Sequence, residues 1–182
     1  MLCNYWVVSL ELLSSLDGML WLQSGINVGV TFQQHQTTVS RNQKKCAKTL
    51  GITLSKSKKK WDIQGDLMLL HLERQVHQFA RLQGKMRLRI EVNGWINDAH
   101  FNPAPTGWVA GSSSHLGDPH GIQCLKDRLI DACLCPLTDP LDESQDLAII
   151  PLNTKTEVGI AILKQHANQE AIINLINTLK QK

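Results

Sequence analysis

A chain of 182 residues, 42% apolar and 19% charged, is long enough to bury a real core in one or two small domains. Its five cysteines are an odd number without framework spacing, which argues against a disulfide-stapled secreted domain and for reduced thiols in a cytoplasm. The apolar start, residues 1–16, lacks a basic leader and is interrupted by Glu11 and soon after by Asp17, so neither a signal peptide nor a membrane span is expected, and no membrane partner.

The net charge of +3 hides an asymmetry. No Asp or Glu lies between Asp17 and Asp62, whereas Arg41, Lys44, Lys45, Lys48, Lys56, Lys58, Lys59 and Lys60 do. Cations without internal neutralisation attract a polyanion, and double-stranded DNA is the expected partner. From Gly117 to Glu157 the balance is acidic, which argues against a second nucleic-acid surface there.

In chain order, Leu10 to Leu22 places Leu10, Leu13, Leu16, Leu20 and Trp21 at helical spacing, with Gly18 a weak point and Ser24-Gly25 the end. Gly25 to Phe32 predicts a short helix, and Gln33-Gln34-His35 a connector to a second helix over Gln36 to Leu50. Two closely packed helices need a small residue where they cross and an apolar anchor, jobs that Gly29 and Phe32 fit. In the second helix Val39, Cys46 and Leu50 share the inner face, while Gln36, Thr37, Ser40, Arg41 and Lys44 point outward. Gln can pair with an adenine edge and Arg with a guanine edge, and Ser or Thr can serve phosphates or bases. That face has the chemistry for a major groove.

The second basic group, Lys56 to Lys60, sits where the winged form of a helix-turn-helix has its phosphate-touching loop. A solvated basic face is the plain alternative for a Lys run. The coincidence of the Thr-Thr-Val-Ser-Arg helix start with the absence of acids favours DNA. The candidate DNA contacts are His35, Gln36, Thr37, Thr38, Ser40, Arg41, Lys44, Lys45, Lys56, Lys58, Lys59 and Lys60.

Asp66 to Gln83 predicts a long amphipathic helix with Leu69, Leu72, Val76 and Phe79 along one stripe. A second copy of the chain is the economical cover for such a stripe, giving a homodimer; a core helix packed within its own chain is the alternative. After Gly84, Met86 to Val92 alternates like a strand with one buried face, and Asn93 to Pro119 reads as loop. A short helix over Ile122 to Leu129, an apolar run to Leu137, strands at Leu147–Leu152 and Glu157–Leu163 and a closing helix at Asn168–Leu179 complete an α/β pattern. The expected organisation is α+β with a small C-terminal α/β domain: a winged helix-turn-helix over 1–64, a linker and dimerisation helix over 65–84, and the α/β domain over 85–182.

Other constellations carry less. Cys124, Cys133 and Cys135, near His115 and His120, lack the paired knuckles of a structural zinc site, and Cys133 and Cys135 are expected on opposite faces of a strand. Buried structural cysteine is the preferred reading, with no metal and no cofactor. No phosphate loop or nucleophile elbow is present, and Gly-Ser-Ser-Ser-His at 111–115 is too generic to name a triad, so no enzyme is expected. A small-molecule effector, if one binds, is placed beyond the strand over 86–92, at Asn93 and Trp95; the alternative is that Trp95 and Trp108 simply pack under the loop.

The stretch from Gln34 to Leu70 resembles the LysR-type transcriptional regulators. Gln36, Val39, Ser40, Arg41, Leu50, Gly51, Leu54 and Gly65 match that family's recognition helix, Leu-Gly turn and start of the linker helix. His35 stands where the family usually has Ser, Thr37 where it often has Pro, and Gln34 where an apolar residue is usual. The resemblance implies a DNA-binding regulator whose linker helix forms the dimer seam. It also implies an effector domain of two subdomains, roughly twice the length available here, so the domain over 85–182 reads as abridged and suited mainly to oligomerisation or protein contacts.

Overall fold

The computed structural model describes residues 8–57, 60–92, 103–113, 118–137, 146–153 and 156–181. Lys58, Lys59, Asn93, Trp95 and His115, named above as candidates, lie outside them. The fold is α+β, in two compact units, Met1–His77 and Gln78–Lys182.

The first unit contains helices α1 (Leu10–Leu22), α2 (Gly25–Phe32) and α3 (Gln36–Leu50), then an antiparallel hairpin of β1 (Thr53–Ser57) and β2 (Lys60–Gln64). Local chemistry sets each boundary. Ser24 accepts the Asn27 amide at the start of α2, His35 Nδ1 accepts the Thr37 amide at the start of α3, and Gly51, at φ 67°, ends α3 in the left-handed conformation that glycine adopts without strain. Leu13, Leu16, Trp21, Val28, Val39, Cys46 and Leu50 make the core, each large apolar side chain contributing about 1.5–3 kcal/mol by leaving water. Leu10, expected in that stripe, is exposed: α1 is still in its first turn there, before the buried run that begins at Leu13.

Two glycine expectations are corrected. Gly18 is the place where α1 and α2 meet, since a Cβ there would lie 2.9 Å from Val28 Cγ1 and 3.0 Å from Phe32 Cε2. Gly29 is needed for a different reason from a helix crossing: the connector folds back over it, and a Cβ would lie 2.6 Å from the Gln34 carbonyl oxygen. Phe32 does serve as an apolar anchor, edge-on to Trp21 with ring centroids 6.3 Å apart.

Helix α4 (Met68–Leu82) follows, its first amide capped by Asp66 Oδ1 at 2.9 Å, and the division between units falls inside it. Its outward stripe is apolar and its inward face is charged. Leu69, Leu72, Val76 and Phe79 are exposed, whereas Glu73, Arg74, His77, Gln78 and Arg81 are buried. In the first unit Arg74 Nε meets Asp17 Oδ1 at 2.9 Å, with both side chains 2% exposed or less. Burying an ion pair costs desolvation that its Coulomb attraction only roughly offsets, so this one holds α4 against α1 without adding much stability.

The second unit is a five-stranded sheet of order β4-β3-β5-β7-β6. Its strands are β3 (Leu88–Glu91), β4 (Trp108–Gly111), β5 (Ala132–Pro136), β6 (Leu147–Asn153) and β7 (Thr156–Leu163). β3 runs parallel to β4 and β5, and β7 antiparallel to β5 and β6. Helices α5 (Asp118–Lys126) and α6 (Glu170–Lys180) complete it. Leu88, Ile90, Leu134, Ile160 and Ile162 from the strands pack with Ile172, Leu175, Ile176 and Leu179 of α6.

The expectation of one buried face on β3 is overturned. Arg89 and Glu91 are as buried as their apolar neighbours, because β3 is an interior strand with both faces covered. Arg89 Nη1 donates to the Leu129 carbonyl at 2.9 Å, and Glu91 Oε1 accepts from the Ser113 amide and hydroxyl. β4 lies within the stretch expected to be loop. Cys133 and Cys135, two apart in β5, share a face rather than opposing one another, as the period of two in a strand dictates.

Candidate nucleic-acid interface

The candidate contacts on α3 follow from how its core side is anchored. Val39, Gln43, Cys46, Ala47 and Leu50 are buried, which fixes the helix about its axis. Gln36, Thr37, Arg41, Lys44, Lys45 and Lys48 are thereby exposed, with Thr38 and Ser40 half-buried beside them. His35 is exposed at the start of α3, its Nδ1 2.9 Å from Thr37 Oγ1. His35 and Thr37 thus form a local cap that satisfies an otherwise unpaired amide at the helix start.

The hairpin adds Lys56 and Lys60. Lys56 and Trp61 are cross-strand partners in the β1–β2 register, and Lys56 Nζ lies 5.6 Å from the centroid of the indole of Trp61, within cation–π range. Gln23, at the end of α1, holds the hairpin from the other side: its Nε2 donates to the Trp61 carbonyl at 3.2 Å, and its Oε1 accepts the Trp61 amide. One side chain thus satisfies both backbone groups of one strand residue. Between the start of α2, α3 and the hairpin lies a recess of about 570 Å³ with Ser40, Lys44, Lys56 and Trp61 on its walls.

Two of these contributors, Gln23 and Gln43, went unnoticed in the sequence, as did the part played by Trp61 at the end of the basic stretch. Gln43 was legible, since the spacing 39, 43, 46, 50 puts it on the inner face; its Oε1 is buried, lines the recess side of α3 and has no hydrogen-bond partner. Nothing in the local sequence signals that Gln23 pairs with Trp61, 38 residues away.

The remaining candidates are distributed as follows. Leu69, Leu72, Val76 and Phe79 share the outward face of α4 on a 3-4-3 spacing. Cys46, Cys124, Cys133 and Cys135 are buried thiols. Burial, reinforced by the Asp17 carboxylate, pushes the Cys46 thiol up to about 12, so it stays protonated at physiological pH. Cys124 Sγ lies 3.5 Å from His120 Nε2. Among the described residues no group of three or more His, Cys, Asp or Glu is arranged to hold a metal ion, and no helix is long and apolar enough to cross a membrane.

The chain matches no protein-family model and no characterised protein sequence. Among solved structures it is similar to full-length OxyR C199D from Pseudomonas aeruginosa, at 16% identity over 80% of this chain and 55% of that one, with a TM-score of 0.41. It is similar also to ArgP from Mycobacterium tuberculosis, at 16% identity over 80% of this chain and 57% of that one, with a TM-score of 0.33. CrgA, a LysR-type transcriptional regulator from Neisseria meningitidis, gives 15% identity over 80% and 53%, with a TM-score of 0.35. The chain spans about half the length of each of these structures, and values this low do not establish a family.

Proposed function

We propose that the chain is a sequence-specific, double-stranded-DNA-binding transcription regulator of the LysR kind, acting as a homodimer in a cytoplasm and not as an enzyme. In this reading residues 1–64 are a winged helix-turn-helix, 65–84 a linker and dimer helix, and 85–182 an abridged effector-like domain. The observation that carries it is the exposed Gln36, Thr37, Arg41, Lys44 face of α3, beside a hairpin bearing Lys56 and Lys60, in a stretch without a single acid between Asp17 and Asp62. A helix anchored on one side and polar-cationic on the other is the shape that enters a major groove, and a basic hairpin next to it suits the flanking phosphates.

The roles divide by chemistry. Arg41 is the candidate base reader, and Lys56 and Lys60 with Lys58 and Lys59 are the phosphate contacts. The outward apolar stripe of α4 supports the dimer: Leu69, Leu72, Val76 and Phe79 repeat as the seam of a two-helix coil does, and a second copy offers the same seam. The effector position at Asn93 and Trp95 stays a subsidiary proposal.

The test begins with binding-site selection on the purified chain, followed by anisotropy titrations. Arg41→Ala is expected to lose about 1–3 kcal/mol on the selected site and to relax preference at one base pair. Lys60→Gln is expected to weaken all sequences alike and flatten the salt dependence by about one counterion. If the two variants behave identically, the division into reader and phosphate contact is wrong; if no sequence is enriched, sequence-specific binding is.

A further inference from the structure

The second unit has a recess that neither the DNA reading nor the candidate position at Asn93 uses. From its lining we infer a binding site for a small organic anion with an apolar body, such as an aryl or alkyl carboxylate. The recess measures about 880 Å³, within the usual range for small-molecule sites. It lies at the N-terminal edge of the sheet, where the turn from α4 into β3, the segment 103–107 ahead of β4, and one face of α6 come together.

Charge selects the sign of the ligand. Among the described residues Arg81, Lys85 and Arg87 line the recess, and no Asp or Glu does. Lys85 and Arg87 are exposed, brought to the rim by the left-handed turn at Gly84. Arg81 is 1% exposed, and its guanidinium is only partly used. Nε and Nη2 grip Asp131 at 2.8 and 2.9 Å, and Nη2 also donates to the Arg128 carbonyl. Nη1, on the side of the guanidinium away from that grip, is buried without a hydrogen-bond partner. Arg81 thus lines the recess with its charge already paired to Asp131, and the direct partners for a carboxylate are Lys85 and Arg87.

Three of the carbonyls in the last turn of α4, which would repel an anion, are already occupied: Phe79, Ala80 and Arg81 accept the amides of Gln83, Lys85 and Gly84. The opposite end of β3 is far less suitable, because the buried Glu91 carboxylate stands there. The apolar body is matched by Met86, Pro105, Trp108, Ala171 and Leu175, while Asn174 and Thr178 of α6 add polar groups among the lining residues. The site is independent of DNA and of the dimer seam.

The test uses the full chain without DNA and two probes of one shape, 2-naphthoate and the uncharged 2-naphthamide, by calorimetry. Naphthoate is expected to bind at least about tenfold more tightly than the amide, the effect of one interaction of ~1.4 kcal/mol. The surface pair Lys85→Gln/Arg87→Gln is expected to erase that preference while leaving naphthamide unchanged. Ala171→Trp, which fills the recess, should weaken both probes about tenfold or more, with far-UV circular dichroism confirming that each variant is folded. The site is refuted if naphthoate fails to bind at ~5 mM, if the two probes bind equally to the parent chain, or if Lys85→Gln/Arg87→Gln leaves naphthoate affinity unchanged.

Discussion

Helices α3 and α4 are each 15 residues long and are built in opposite senses. α3 buries Val39, Cys46, Ala47 and Leu50 and shows water its cations; α4 buries Glu73, Arg74, His77, Gln78 and Arg81 and shows water Leu72, Val76 and Phe79. The first arrangement is complete in solvent, since its apolar side is covered and its cations stand in water. The second leaves an apolar face that is 49% exposed at Leu72 and 63% at Val76, and it tolerates charge inside only because specific partners meet it. The hydrophobic pattern of a helix therefore states which face is apolar, not which face is inside.

The largest way to break the contrast is at the buried pair. Arg74→Met leaves the Asp17 carboxylate sealed without its guanidinium, and a loss of about 3–5 kcal/mol is expected in urea unfolding. Joining Asp17→Leu to Arg74→Met should restore most of it, since replacing both partners by apolar groups removes the desolvation cost. A double variant as unstable as the single one would mean that the charges themselves, not their mutual compensation, are required there.

A second change attacks the outward face. Leu72→Glu with Val76→Glu is expected to leave the chain folded, because both positions are exposed, yet to sediment as a monomer. A dimer of unchanged mass would move the interface away from α4. Urea midpoints equal to those of the parent at low protein concentration would sharpen the point, separating association from folding.

The smallest expected effect is one of pH, where the buried polar face of α4 continues into the second unit. His166 Nε2 lies 3.1 Å from Gln78 Oε1, and burial, aided by the positive charge of Arg128, lowers the pKa of the imidazole below its ordinary 6.5. Below that value the unfolded chain takes up a proton before the folded one does, so stability falls as pH drops through and below 6.5 and is fully present above it. His166→Gln should flatten this part of the pH–stability curve, as read by thermal unfolding between pH 5 and pH 8. A curve that keeps its slope would assign the dependence to another group.

Much of the first unit was legible because its boundaries are local. Ser24, Gly51 and the connector at Gln33 to His35 announce themselves, and α1, α2 and α3 begin and end where the sequence predicts. What failed depended on distant partners. β4 is four residues long at the edge of the sheet, among Gly and Pro that read as loop. α5 starts at Asp118, four residues before the first expected position, because Pro119 is compatible with a first helical turn although it looks like a stop. The burial of Arg74, Arg81, Arg89 and Glu91 could not be read at all, since each is tolerated inside only through a partner more than 20 residues away, such as Asp17, Asp131, Leu129 or Ser113. At the candidate interface the outward residues of α3 followed from its periodicity; the Gln23 grip on Trp61 did not.

That grip has a consequence for how the molecule avoids its own kind. A two-stranded hairpin has two open margins, and a margin with unpaired amides and carbonyls invites a strand from another chain to join it. At Trp61 both groups are taken by the Gln23 amide, which does there what a residue of a third strand would do. The margin of β2 is therefore closed at Trp61, near its start, by a side chain that cannot be extended into a ladder. Copies of the chain are thereby steered away from stacking hairpin on hairpin at that point.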